Sequence, residues 1–209
     1  WSITPLVYLW YYAGMSAWDP RITLMALLVT VGGLRLSFNF WRRGGYGWPP
    51  WSGDEDYRWG VLRKNKILKR RWDWTLFNFF FISLEQQGIL FLITLPAWFA
   101  AESSRIPLGA LDWIAAILVL GFIGMETLAD EQQYLFQTEK HRRIKKKEAL
   151  GGEYKNGFRS SGLFSFVRHP NFAAEQMIWL SFYFFSVAAT GEWINISLAG
   201  ALSLILLFQ

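Results

Sequence analysis

Apolar positions along this chain do not alternate with polar ones; they gather into six long runs. Val7 to Trp18, Ile22 to Trp41, Trp74 to Ala101, Leu108 to Leu128, Phe172 to Ala189 and Trp193 to Phe208 each approach or exceed the roughly 20 residues that cross a bilayer. The first is short, and Trp1 to Tyr12 extends it. The pattern predicts an all-α, polytopic transmembrane helix bundle with about six spans in this chain. Asp19-Pro20 breaks the first run from the second, and the turn from Glu102 to Pro107 closes the third. Gly and Pro between Gly44 and Pro50 exclude regular structure after the second run. The stretch Asp54 to Arg71 reads either as an interfacial amphipathic helix with tryptophans in the headgroups or as part of a lid over a ligand.

The polar residues inside the runs carry the candidate chemistry. Arg35 and Asn39 stand four apart on one face of the second run; Arg35 either snorkels to the nearby interface or belongs to a site. Asn78 and Glu85 share a face of the third, with Gln86 and Gln87 beside them. An acid at membrane depth in dry surroundings stays protonated and can donate to a carbonyl; Gln and Asn there also serve as glue between helices. The fourth run ends in Glu126, Asp130, Gln133 and Gln137, a polar stripe that lines a wet cavity or a ligand. The segment Gly162 to Glu175 places Arg168 and His169 before Pro170, which favours the first turn of a helix. Asn171 and Glu175 then lie four apart on one face, at an amide-rich helix entrance that favours an anion.

Charge sets the orientation. Of 21 Lys and Arg, nine fall between Arg42 and Arg71 and nine between Lys140 and Arg168. The positive-inside rule puts both loops, and both ends of the chain, on the cytoplasmic side of a multi-pass protein of a bacterial inner membrane or the endoplasmic reticulum. Beside a membrane, basic clusters of this kind meet anionic lipid; a nucleic-acid partner is not expected.

Composition changes the picture only at its edges. The chain is 53% hydrophobic with 13 Trp and 18 Phe, so aromatic belts are well supplied. Zero cysteines and two histidines exclude disulfides and thiolate metal sites and leave no histidine metal cluster; no metal is expected. There is no P-loop, no dinucleotide-binding glycine fingerprint, no His-Glu-x-x-His, no internal repeat and no secretory signal. Residues 1–209 read as a single integral-membrane domain, expected to be monomeric. No Met precedes Trp1, and Gln209 follows directly on an apolar run, so both ends read as incomplete.

Three pieces, in this order and spacing, resemble a known family. They are Asp54-Glu55-Asp56-Tyr57-Arg58-Trp59, Glu126-Thr127-Leu128-Ala129-Asp130-Glu131-Gln132-Gln133, and Gly162-Leu163-Phe164 followed by Arg168-His169-Pro170-Asn171-Phe172 and Glu175. Together they resemble the steroid 5-alpha-reductase-like membrane reductases, within them the DUF1295 branch, over nearly the whole chain. The resemblance implies about seven membrane helices in the full protein and an opening to the cytoplasm. It also implies NADPH held between helices, reducing the double bond of a 3-oxo-Δ4-steroid or similar lipid enone. On that footing Asn171 and Glu175 contact the nicotinamide–ribose end, and Asp130 and Gln133 the ribose or adenosine portion. Asp56, Arg58, Arg63, Arg159, Arg168 and His169 complete the cofactor site, its cations holding the phosphates. The keto-binding acid and amide have their nearest equivalents in Glu85 and Gln86, in a different order from the family's, with Tyr57 as the phenol. Hydride delivery to an enone builds charge on the carbonyl oxygen, which a neutral acid or a Tyr stabilises. The Arg-His-Pro signature is shared with S-adenosylmethionine-dependent isoprenylcysteine and phospholipid methyltransferases, the alternative reading. A lipid-binding or transport protein, with the stripe lining a permeation path, is a third.

Overall fold

In the computed structural model, which describes residues 2–46, 57–63, 68, 70–103 and 106–207, every regular element among the described residues is helical. Helix α1 (Thr4–Met15) ends where Ala17 and Trp18 take left-handed φ values of 51° and 62°. Asp19 then accepts the backbone N–H groups of Arg21 at 2.9 Å and Ile22 at 3.3 Å, and Pro20 opens α2 (Pro20–Arg42). The turn legible in the sequence is thus a capped, proline-started helix entrance.

Of the helix considered over Asp54 to Arg71, α3 supplies Tyr57–Arg63. Arg70 is extended at φ −77° and ψ 142°, so α4 (Arg71–Phe77) starts afresh; residues 54–56, Asp56 included, lie outside the described residues. Helix α4 runs on through a π-helical stretch, Asn78–Glu85, into α5 (Gln86–Glu102) as one 32-residue apolar helix. After the turn come α6 (Ala110–Lys145), α7 (Glu153–Asn156), a 3₁₀ turn (Gly162–Ser165), α8 (Pro170–Thr190) and α9 (Leu198–Leu207).

The protein is an all-α membrane bundle, and among the described residues four helices are long and apolar enough to cross a membrane: α2, Arg71–Glu102, α6 and α8. Of the six runs, the first and last form shorter helices within the described residues. Over the described residues α1 and α9 measure about 18 and 15 Å at 1.5 Å per residue, and α9 runs to the last of them. At α9 the cause is local: the run's first residues form a loop in which Tyr183 Oη donates to the Trp193 carbonyl at 2.9 Å and accepts from Asn195 N at 3.1 Å. Helix α6 errs in the other direction. Its apolar run ends at Leu128, yet the helix continues to Lys145, because good helix formers follow and Glu139 pairs with Arg142 and Arg143, each at 2.7 Å.

The core lies where α5, α6 and α8 meet, around Leu90, Ile93, Val119, Phe182 and Phe185. Helix α9 lies against α5 so closely that a Cβ on Gly200 would stand 2.2 Å from the Leu92 carbonyl oxygen, a contact only glycine permits. The packing of the π-helical stretch is confined almost wholly to α4 and α5, and Phe79, Phe80 and Leu84 stay exposed. Such a stretch often marks a functional or adaptable segment.

Arg42 and Arg43, which open the first basic segment, face α6 at the end of the bundle from which α6 continues into the second. Arg42 pairs with Glu131, and Lys140 Nζ donates to the Gly157 carbonyl at 3.1 Å. The opposite end is closed by Arg21 and Asp112, fully buried and paired at 2.7 Å.

Candidate functional site

Helices α2 and α6 meet near the basic end through a buried polar network. Arg35 does not snorkel. Its guanidinium reaches Glu126 Oε1 at 2.7 Å and Asp130 Oδ2 at 2.8 Å, two acids one turn apart on α6. Asn39, one turn after Arg35, donates to the same Asp130 oxygen at 2.7 Å, and Arg43 stands 3.6 Å from the other. Arg42 donates to Asn39 Oδ1 at 2.8 Å, pairs with Glu131 and lies over the Tyr134 ring at 4.4 Å. Glu126 and Asp130 are 6% and 5% exposed, so these charges sit in a low-dielectric setting where pairing is strong and an unpaired atom is costly. Among the described residues two atoms of this network nevertheless lack a partner: Arg35 Nε and Glu126 Oε2 are buried without a hydrogen bond.

Both residues border a cavity of about 40 Å³ between α1, α2, α6 and α8, lined by Arg35, Glu126, Glu175 and Trp179 among mostly apolar side chains. Glu175 enters from α8 and accepts the indole N–H of Trp179, one turn on, at 2.9 Å. One acid of the stripe, Glu126, and one from the start of α8, Glu175, therefore line the cavity together with the Arg35 guanidinium. The volume admits a water or the tip of a ligand.

The loop that delivers α8 is pinned to α6. Gln132 accepts from Leu163 N at 3.1 Å through its side chain, and from Arg159 at 2.8 Å through its carbonyl. Gly162 turns there at φ +64°, where any Cβ would strike the Gln132 side chain. Glu153 accepts Ser160 Oγ at 2.9 Å and N at 3.1 Å, and Ser161 Oγ at 3.3 Å. These bonds, the Ser160 hydroxyl foremost, hold its carboxyl below the usual carboxylate range. A lowered folded-state value means this stabilisation is complete above the unfolded-chain value of about 4.3 and is lost as pH falls through the folded value. Hydrogen exchange over residues 153–161 is expected to quicken on acidification below about pH 4, and Glu153→Gln to abolish that pH dependence. Acid loosening that persists unchanged in the Gln variant would assign it to another group.

The predicted residues divide into three sets. Glu175 lines the cavity, Asp130 is paired with the Arg35 that also lines it, and Arg159 is joined to α6 beside the half-buried Gln133. Arg168, His169 and Asn171 stand at the entrance of α8; the His169 ring lies 5.4 Å from Phe172, and neither Arg168 nor Asn171 has a polar side-chain partner among the described residues. Glu85 and Gln86 stand apart. Glu85 is exposed on the helix surface at the end of the π-helical stretch, away from the cavity among the described residues. Arg63 lies over the Trp74 ring at 4.7 Å. Tyr57 and Arg58 begin α3, but their side chains, like Asp56, lie outside the described residues. Three participants were not singled out beforehand as site residues: Arg42, Arg43 and Trp179. Trp179 could have been found, four residues after Glu175 on one helix face. Among the described residues no cluster of His, Asp and Glu is arranged to hold a metal ion.

A family model described as "Protein of unknown function (DUF1295)" matches residues 1–209. An uncharacterized protein of Schizosaccharomyces pombe is 36% identical over 221 residues, an alignment that takes in all of this chain and 62% of that protein. The chain thus spans less than two thirds of that relative's length. No solved structure is significantly similar to it. With the family match running from the first residue to the last, the chain belongs to the DUF1295 family.

Proposed function

We propose that this chain forms the membrane core of an NADPH-dependent reductase that saturates the carbon–carbon double bond of a hydrophobic enone, a 3-oxo-Δ4-steroid or similar lipid. The observation that carries the reading is the buried polar network of Arg35, Glu126 and Asp130, with Glu175 across a small cavity from it, inside an apolar bundle and at the end where both basic segments begin. The donor set fits a phosphorylated dinucleotide. Arg168, His169 and Asn171 are exposed or half-buried cation and amide groups at a helix N-terminus, which favours phosphate. Asp130 and Glu175 are acceptors for ribose hydroxyls or a carboxamide. When bound, the cofactor supplies the hydride; the chain orients it, excludes water and manages the proton. Positive-inside orientation turns this end towards the cytoplasm, where NADPH is available. The lipid-exposed bundle gives an apolar substrate a path that never crosses water.

A carboxylate-rich wall also suits the sulfonium cation of S-adenosylmethionine, so the binding test includes both ligands. In lipid nanodiscs, the full-length protein is expected to gain thermal stability from NADPH and not from S-adenosylmethionine. Asn171→Ala is expected to weaken NADPH binding about tenfold, about 1.4 kcal/mol, with the ligand-free melting temperature kept. Stabilisation by S-adenosylmethionine alone would replace the reductase with the methyltransferase.

A further inference from the structure

We propose that the cavity is the binding site of a buried water that joins α2, α6 and α8 by bridging Arg35 Nε, Glu126 Oε2 and the Glu175 carboxyl. The inference stands apart from the reductase reading, since it needs neither cofactor nor substrate. Its first ground is an incomplete ion pair. A guanidinium presents Nε and Nη2 along one edge, and a carboxylate set squarely against that edge takes both. Asp112 does so with Arg21, at 2.7 and 2.9 Å. Glu126 meets Arg35 through Oε1 and Nη2 alone, at 2.7 Å, while Nη1 goes to Asp130 at 2.8 Å. Arg35 Nε and Glu126 Oε2 are left over, a donor and an acceptor of one ion pair, both buried and both without a hydrogen bond among the described residues.

The second ground is the space beside them. Arg35 and Glu126 both line the cavity, whose volume of about 40 Å³ exceeds the roughly 10–15 Å³ that one water needs. Glu175 lines it from α8; one of its oxygens accepts the Trp179 indole N–H, and no direct bond among the described residues joins it to α2 or α6. Purely apolar voids stay dry, but a water with two to four polar partners is firmly held. Here it accepts from Arg35 Nε–H and donates one hydrogen to Glu126 Oε2 and the other to Glu175. A cation in the same place would face Arg35, and an anion would face two carboxyl groups; a neutral molecule that both accepts and donates suits all three.

The water makes one polar network of three helices. Arg35 of α2 holds Glu126 and Asp130 of α6 directly, and Glu175 of α8 at second hand. Gly32, three residues before Arg35, offers a way to expel it. Gly32 lines the same cavity, and a Cβ there would meet the Ile123 side chain at 3.6 and 3.9 Å. Those are ordinary contacts, so an added methyl, about the size of a water, enters without moving the backbone.

The test uses the full-length protein in lipid nanodiscs with no added ligand. A density map fine enough to show ordered water is expected to hold a peak within hydrogen-bond distance of Arg35 Nε and Glu126 Oε2 in wild type, and none in Gly32→Ala. Thermal unfolding supplies the sign. Alanine inside a helix ordinarily gains stability over glycine, and Gly121→Ala, whose Cβ meets open space on α6, is expected to show that gain. Gly32→Ala is instead expected to melt about 2–4 °C below wild type, because losing the water leaves two buried atoms unbonded. A wild-type map with no peak at the site, or with Arg35 Nε bonded directly to Glu126 Oε2, would overturn the proposal. A peak lost from Gly32→Ala with the melting temperature raised as in Gly121→Ala would overturn it too, for the water would then satisfy nothing.

Discussion

Asp112→Ala is expected to destabilise the bundle more than any other single substitution, by about 3–5 kcal/mol. Asp112 and Arg21 are 0% and 2% exposed and meet as a two-pronged fork, Nε to Oδ1 at 2.7 Å and Nη2 to Oδ2 at 2.9 Å. Arg21 also donates to the Ile106 and Pro107 carbonyls at 3.2 and 3.3 Å, and Asp112 accepts from Gly109 N at 2.8 Å, closing the start of α6. Removing the carboxylate leaves a buried guanidinium with two carbonyls and no counter-charge. Removing both partners is a different matter, since a well-packed apolar pair of similar volume is often no worse than a buried ion pair. Unfolding in mixed micelles should show Arg21→Met/Asp112→Leu well above Asp112→Ala. Equal losses in the single and double variants would mean that the pair's charge balance is not what holds this end together.

Asp130→Ala is expected to weaken NADPH binding at least about 100-fold, or about 2.7 kcal/mol. The loss has two sources. An acceptor for the cofactor disappears, and Arg35, Asn39 and Arg43 lose the oxygen atoms that aim them. Hydrogen bonds to a charged group contribute about 1.5–3 kcal/mol each, so disorganising three donors is enough to degrade the wall even if the helices stay in place. Asp130→Asn keeps one acceptor oxygen and should fall between. Titration of NADPH by fluorescence, with the ligand-free melting temperature as control, checks the order. Unchanged affinity in Asp130→Ala would remove the residue from the cofactor site, whatever became of stability.

Much of this was legible in the sequence because hydropathy and helical period are local. The run Ile22 to Trp41 became Pro20–Arg42, and Phe172 to Ala189 became Pro170–Thr190. The spacing of Glu126 and Asp130 put them on one face, and Arg35 with Asn39 on another, before any contact was known. That these two faces meet was not legible, since 91 residues separate Arg35 from Glu126 and an arginine near a helix end snorkels as readily as it pairs. The Arg21–Asp112 fork was hidden for the same reason, each residue reading as the polar edge of an apolar run. Which helices cover Glu85 was not legible either, because coverage is a tertiary property. The π-helical stretch has no sequence signature of its own.

The length of α6 has a mechanical consequence. At 1.5 Å per residue the helix is about 54 Å long, with Asp130 about 30 Å from its start and the last turns outside the hydrocarbon layer. One end is clamped by the Arg21–Asp112 fork, and the other holds the loop that feeds α8. A rod so clamped is a lever arm: a tilt of about 5° at the fork moves its far tip about 5 Å. A disturbance on the side remote from the basic loops would thus reach the entrance of α8 as a displacement longer than a hydrogen bond.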